Sequence, residues 1–174
     1  MGLGECTFRE KGTCPQHKGI LNKHLISYAI SYIVLFMIIM DTNVLDAALR
    51  SQKGASRAIF ERVLRGDISA GESTALYLEY EDVLTRKDHL DAFNLSIVQV
   101  DKVLRALAKM LEPIHIHYKV RPESKDPDDD FVFDAAVNGQ ASDIVTFNLK
   151  DFRSSKKFGI EATLPRDFVR RKTL

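Results

Sequence analysis

Ile33-Val-Leu-Phe-Met-Ile-Ile-Met-Asp-Thr-Asn43 is the stretch that decides the fold. An unbroken apolar run stops abruptly at an acid, a hydroxyl and an amide. A run of that kind reads as a strand buried on both faces, as in a parallel sheet covered by helices. In open sheets of that type, ligands collect outside the carboxyl ends of the strands. Asp41 therefore stands where a parallel-sheet protein places its chemistry.

The residues before this strand offer a competing interpretation. Leu25 to Met40 carries no charge and follows Lys18, Lys23 and His24, like the start of a signal peptide or membrane anchor. It is shorter than the ~20 residues of a spanning helix, and it enters Asp-Thr-Asn without a small-residue cleavage site. The strand is the better account, with no membrane partner expected and a cytoplasmic location. Residues 1–32 then read as a disordered or non-native extension, and residues 33–174 as the domain. Met37 offers an alternative start, which would make everything upstream dispensable. Cys6, Cys14, His17 and His24 carry zinc-compatible groups, but their C-x7-C-x2-H-x6-H spacing misses the usual zinc pattern. Two cysteines make no disulfide framework, and the chain fits a reducing compartment.

Downstream, periodicity alternates. A short helix is expected near 44–50, and a second carries Ala55, Ile59, Phe60, Val63 and Leu64 on one face until Gly66 stops it. A weak strand at Ile68–Ala70 precedes a helix capped by Ser73 or Thr74, with Leu76, Tyr80, Val83 and Leu84 in helical register. A longer helix is expected from Asp91 to Leu111, ended by Pro113. Ile114-His-Ile-His-Tyr-Lys-Val120 alternates like a strand, then come a helix from Asp129 to Asn138 and a strand at Asp143–Thr146. An edge strand and tail fall within Ile160–Phe168. That order predicts a three-layer α/β/α domain with a mostly parallel central sheet.

Three strand ends deliver polar groups to one rim: Asp41, the cluster Asp126 to Asp130, and Asn148 with Asp151. Glu79 joins them from a helix, three residues after Leu76 and four before Val83, on the packed side. Glu81 lies about 200° further round and faces solvent. A core-facing carboxylate is costly unless it is paired or binds a cation. If the next helix starts at Asp129, that acid shares a face with Val132, Phe133 and Ala136. Asp129 is therefore favoured as a ligand, Asp130 second and Asp126 third. Converging carboxylates without His or Cys nearby select Mg²⁺ or Mn²⁺ over zinc, and such ions can activate water at a phosphodiester. Taken singly, each piece has an ordinary structural explanation as a turn, a cap or an exposed acidic loop.

Twenty-five Lys and Arg nearly balance twenty-four Asp and Glu, so net charge names no partner. Their distribution is more informative: the acids at 123–130 contrast with Arg153, Lys156, Lys157, Arg166, Arg170, Arg171 and Lys172. An acidic metal pocket with a basic border suits a polyanion, although ordinary solvated charge explains the same pattern. No G-x-S-x-G, P-loop or G-x-G-x-x-G motif occurs.

Met37-Ile-Ile-Met-Asp-Thr-Asn-Val-Leu45 resembles the opening of PIN domains, and Leu78-Glu-Tyr-Glu-Asp-Val-Leu84 resembles their helix bearing the second acid. Arg121-Pro122 with Asp126-Pro-Asp-Asp-Asp-Phe-Val132 is similar to the third-acid segment. Ile144 to Phe152 is similar to the closing motif, and Leu164-Pro-Arg-Asp-Phe168 to the usual last strand. The likeness covers about residues 33–170. It implies metal-dependent hydrolysis of RNA, with Asp41, Glu79 and Asp129 as catalytic and metal-binding acids and Asp130 as the fallback third. It further implies that Thr42 and Asn43 orient Asp41, that Thr146 supports the rim, and that Asn148 and Asp151 join Asp130 among the metal-binding residues. The subgroup most similar in these motifs is the VapBC-type toxins, which implies a homodimer silenced by a small antitoxin. One departure stands out: many PIN domains place a fourth Asp where this chain has Asn148, which weakens a second metal site.

A degenerate PIN domain that binds RNA or a protein without cutting is the main alternative. A dehalogenase-type phosphatase needs an acid where Asn43 stands. A receiver domain needs paired acids before its phosphoacceptor strand and a late Lys, an order absent here.

Overall fold

The computed structural model describes residues 37–120 and 127–172, without the side chains of residues 127–129. Strand β1 (Ile38–Met40) is buried at every residue, and so is β4 (Asp143–Val145). They pair in parallel with Ile39 opposite Ile144. β5 (Glu161–Thr163) adds in parallel beyond β4, Ala162 facing Ile144. On the other side β2 (Gly71–Glu72) pairs in parallel with β3 (Glu112–Pro113). A parallel bridge between Ile38 and Ala70, with Ile38 N donating to Ser69 O at 3.0 Å, joins this pair to β1. The spatial order is β3-β2-β1-β4-β5, and every described pairing is parallel. Complete burial of β1 and β4 requires cover on both faces, as the α/β expectation demands.

The helices supply that cover. α1 (Thr42–Arg50) starts directly after β1, two residues earlier than the periodicity suggests, because Asp41 is itself the N-cap. α2 (Ala55–Leu64) packs on α1 and on α7 (Pro165–Arg171). α3 (Thr74–Leu84) is capped by Ser73, whose Oγ accepts from Leu76 N at 3.2 Å. α6 (Pro127–Asn138) lies along β1, β2 and β4. Among the described residues no helix is long and apolar enough to cross a membrane.

Several expected elements change. The helix expected over Asp91–Leu111 is two, α4 (Lys87–Phe93) and α5 (Ile97–Met110). Asn94 breaks it in a left-handed conformation (φ 54°), and Ser96 with Gln99 forms a capping box that restarts it. Val100, Leu104 and Leu107 keep their buried register in α5. The weak strand expected at Ile68–Ala70 lies slightly later, as β2. Residues 33–36 of the expected first strand, the extension at 1–32 and the cluster Cys6, Cys14, His17 and His24 lie outside the described residues.

The largest correction concerns Ile114–Val120. Its alternation suggests a strand, yet pairing ends at Pro113. Side chains of α6 hold this segment instead. Asn138 Oδ1 accepts from His117 N and Tyr118 N, at 2.8 and 3.0 Å, and its Nδ2 donates to Tyr118 O at 2.7 Å. Asp134 Oδ1 accepts from Val120 N at 2.8 Å. Ile114 is pressed between two glycines: a Cβ on Gly71 would lie 2.5 Å from Ile114 Cδ1, and one on Gly139 2.6 Å from it. A side chain at either position would require the Ile114 and Met37 side chains to shift. At the far end, Leu164–Phe168 is not the last strand. β5 precedes it, and Pro165 opens α7 as the first helical residue.

Candidate active site

The rim at the carboxyl ends of β1 and β4 centres on Asp41, which is 5 % exposed. Its position follows from the sequence: an acid directly after a buried strand, free to cap α1. Asn43 N donates to Oδ1 at 3.4 Å, while Asn43 Nδ2 donates to Oδ2 at 2.7 Å. Thr146 Oγ1, from just beyond β4, donates to the same Oδ2. Burial raises the Asp41 pKa above the ordinary carboxylate value, against the lowering by the Thr146 and Asn43 donors. A buried carboxylate held in this way is oriented but not neutralised.

A second acid is joined to it. Thr42 Oγ1 donates to Glu79 Oε1 at 2.6 Å, bringing the helix α3 acid beside the Asp41 strand end. Tyr80, the next residue, is fully buried and donates its hydroxyl to Met40 O, tying α3 to the last residue of β1. Burial, then Glu72, Asp41 and Glu79 in turn, raise the Tyr80 phenol well above its usual pKa. Three carboxylates therefore act on one buried hydroxyl. Glu81 is exposed on the opposite side of α3.

The closing motif is stitched in by the same groups. Asn148 N donates to Thr146 Oγ1 at 2.8 Å, and Phe147 N donates to Asn43 Oδ1 at 3.3 Å. Asn148 and Asp151 are both half-buried in the turn beyond, with Asp151 N donating to Asn148 O at 3.3 Å.

The third acid is less defined. Helix α6 starts at Pro127, so Asp129 lies in its first turn, but its side chain lies outside those described, and Asp126 lies outside entirely. Asp130 is half-buried, with Oδ1 buried and without a hydrogen-bond partner among the described residues. It lines a cavity of about 300 Å³ with Ser73, Thr74, His115 and Lys119. Among the described residues no three His, Cys, Asp or Glu side chains converge as a metal-binding group.

The donor chemistry present still fits a hard divalent cation. Among the described residues Asp41 and Glu79 offer carboxylate oxygens with no imidazole or thiolate hydrogen-bonded to them, and Asn43 N meets Asp41 Oδ1 at 3.4 Å. Two neighbouring acids drawn out of water favour a cation between them.

One acid at this end of the sheet escapes the sequence reading. Glu72, the last residue of β2, is half-buried, and its buried Oε2 has no hydrogen-bond partner among the described residues. Burial pushes its pKa up to about 7. The signal was available, because the rule that picks Asp41, an acid at a strand end, picks Glu72 once β2 extends past Ala70.

A family model described as PIN domain matches residues 37–150, well over half the chain. No curated protein and no solved structure matches.

Proposed function

The chain belongs to the PIN-domain family, whose members are generally nucleases using divalent metal ions, and on that premise we propose that it is a Mg²⁺- or Mn²⁺-dependent endoribonuclease. The observation that carries this is the coupled pair Asp41 and Glu79. One is oriented by Asn43 and Thr146, the other is bonded to the residue next to Asp41.

In this proposal Asp41, Glu79 and Asp129 hold the ion, Asp130 stands in for Asp129 if the latter faces away, and Asn148 and Asp151 border it. When bound, the ion supplies a water of lowered pKa and neutralises charge developing on the phosphodiester oxygens. The protein's own groups set the conditions. Thr146 and Asn43 fix Oδ2 of Asp41, which leaves Oδ1 the freer oxygen. Thr42 fixes one oxygen of Glu79 and so sets the separation of the two acids. Burial keeps bulk water from screening either carboxylate. Asn148 brings an amide oxygen without charge, so any second ion is held weakly.

The proposal extends, on motif resemblance, to the toxin of a VapBC-type pair: a cytoplasmic homodimer silenced by a small antitoxin. Residues 33–174 would form the working domain, with residues 1–32 a disordered or non-native extension. One observation favours the rival, a PIN domain that binds without cutting: Asn148 stands where many PIN domains place a fourth Asp.

The test is to incubate the protein and its Asp41→Asn variant with a labelled RNA pool, in Mg²⁺, Mn²⁺ or EDTA, beside matched DNA. Metal-dependent RNA cleavage that vanishes in the variant is the expected result. Binding of RNA without cleavage by the wild type would hand the case to the rival.

A further inference from the structure

Immediately beside the acids lies a surface of opposite character. Phe147 follows the residue that holds Asp41, and its backbone is fixed by Asn43, yet its ring is 51 % exposed. It forms one wall of a cavity of about 410 Å³ at the carboxyl ends of β4 and β5, with Leu164 and Pro165 among the other lining residues. The rim of the same cavity carries Lys53, Arg57 and Arg166, and none of its described lining residues is an acid.

The cations are differently engaged. Arg57 Nε is 2.7 Å from Glu61 Oε1 and its guanidinium lies over Phe60. Arg166 reaches Asp167 only at 3.5 Å, with its side chain 72 % exposed. Lys53 is exposed on the turn before α2. A single exposed apolar side chain is ordinary on a protein surface; Phe147 differs in walling a cavity rimmed by cations. A rigid aromatic face flanked by cations matches a polyanion that also carries flat rings.

We propose that this cavity is a nucleotide subsite of the nuclease: a single-stranded RNA leaving the Asp41–Glu79 site stacks one base on Phe147 and sets the adjoining phosphates against Lys53, Arg57 and Arg166. The proposal rests on the ribonuclease reading for its choice of ligand. Charge complementarity selects the occupant, and continuity through Asn43, Thr146 and Phe147 places it on the path of the substrate. A base gripped there holds the strand across the acids in one register. The cut would therefore fall at a fixed distance from a preferred, unpaired nucleotide.

The test is equilibrium binding of a fluorescent single-stranded oligoribonucleotide to the full chain in EDTA, where metal-dependent cleavage is silent. Phe147→Ala should weaken binding by roughly ten-fold, the scale of one base–aromatic stack. Lys53→Glu with Arg166→Glu should lower the magnitude of the log-affinity slope against log salt by about 0.7 per lost phosphate contact. Tyr118→Ala, which removes another exposed aromatic, should change affinity less than two-fold. Equal losses from Phe147→Ala and Tyr118→Ala would overturn the proposal, since any surface ring would then serve. It would fall equally if Phe147→Ala left RNA binding intact but shifted the monomer–dimer balance in sedimentation, which would assign the face to a protein. Cleavage by wild type with unchanged binding in Phe147→Ala sinks the subsite and spares the nuclease. No cleavage with weakened binding does the reverse.

Discussion

Asp41 and Glu72 end neighbouring parallel strands at the same edge of the sheet, and they are treated in opposite ways. Asp41 is almost wholly buried but receives donors from Asn43 and, across the sheet, Thr146. Glu72 is less buried, and its inner oxygen has no donor among the described residues. Burial raises both acids, but only Asp41 has the hydrogen bonds that favour the ionised form. A fold that orients a carboxylate with hydroxyl and amide donors preserves it as a ligand. A fold that buries one without donors favours its neutral form. The contrast separates an acid held for chemistry from an acid the structure tolerates.

The sharpest way to break this contrast is Asp41→Asn. Asparagine keeps the N-cap of α1 and removes a buried charge, so the melting temperature should hold or rise. RNA cleavage should fall by a hundred- to thousand-fold, several kcal/mol at about 1.4 per decade. A stable variant with undiminished cleavage would remove Asp41 from the site. Thr146→Val comes next. It deletes the cross-sheet donor and leaves Asn148 N without its acceptor, so activity should drop by about ten- to a hundred-fold and stability by about 1–3 kcal/mol. A loss of stability without loss of activity would make the hydroxyl a purely structural bond.

Glu72→Gln probes the other side. Between pH 4.5 and about 7 the folded chain retains a proton that the unfolded chain has released. The unfolded state then binds fewer protons, so the Glu72 term lowers stability as pH rises through that window. The amide removes the term: the variant should match wild type near pH 4.5 and exceed it by about 1–2 kcal/mol at pH 8, after solvent screening. Chemical denaturation at the two pH values checks this, and equal differences at both would refute it. The smallest effect belongs to Glu81→Gln. Exposed on the far side of α3 from Glu79, it should change stability by less than about 0.5 kcal/mol and activity less than two-fold in the same assays.

The sequence made some of this legible for identifiable reasons. Asp41 was visible because a long apolar run ends on it, and Glu79 because helical periodicity sets it on the packed face of α3 while Glu81 points away. The parallel α/β sheet followed from that alternation of strands and helices. Ile114–Val120 misled because its backbone donors are met by Asn138 and Asp134, whose side chains satisfy an extended segment as a neighbouring strand would. The split between α4 and α5 depended on Asn94 adopting positive φ, a conformation that apolar spacing does not encode. Leu164–Phe168 resembles a last strand by motif alone, and its Pro165 suits the first turn of a helix better than a sheet. Glu72 was missed because a two-residue strand has no periodicity to read.

The bond between Thr146 and Asp41 spans 105 residues. During synthesis the first acid therefore emerges long before the hydroxyl that orients it, and β1 must wait as long for β4. Until then Ile38–Met40 can be met only on its β2 side, and its other edge stays open to non-native contacts. The late closure of so long a loop places this domain among slower folders, since pairing across it must precede the contacts that reward it. A ribosome-bound fragment ending before Thr146 carries Asp41 and Glu79 without the hydroxyl that orients the first of them. The cutting edge would be set only as the last strands arrive.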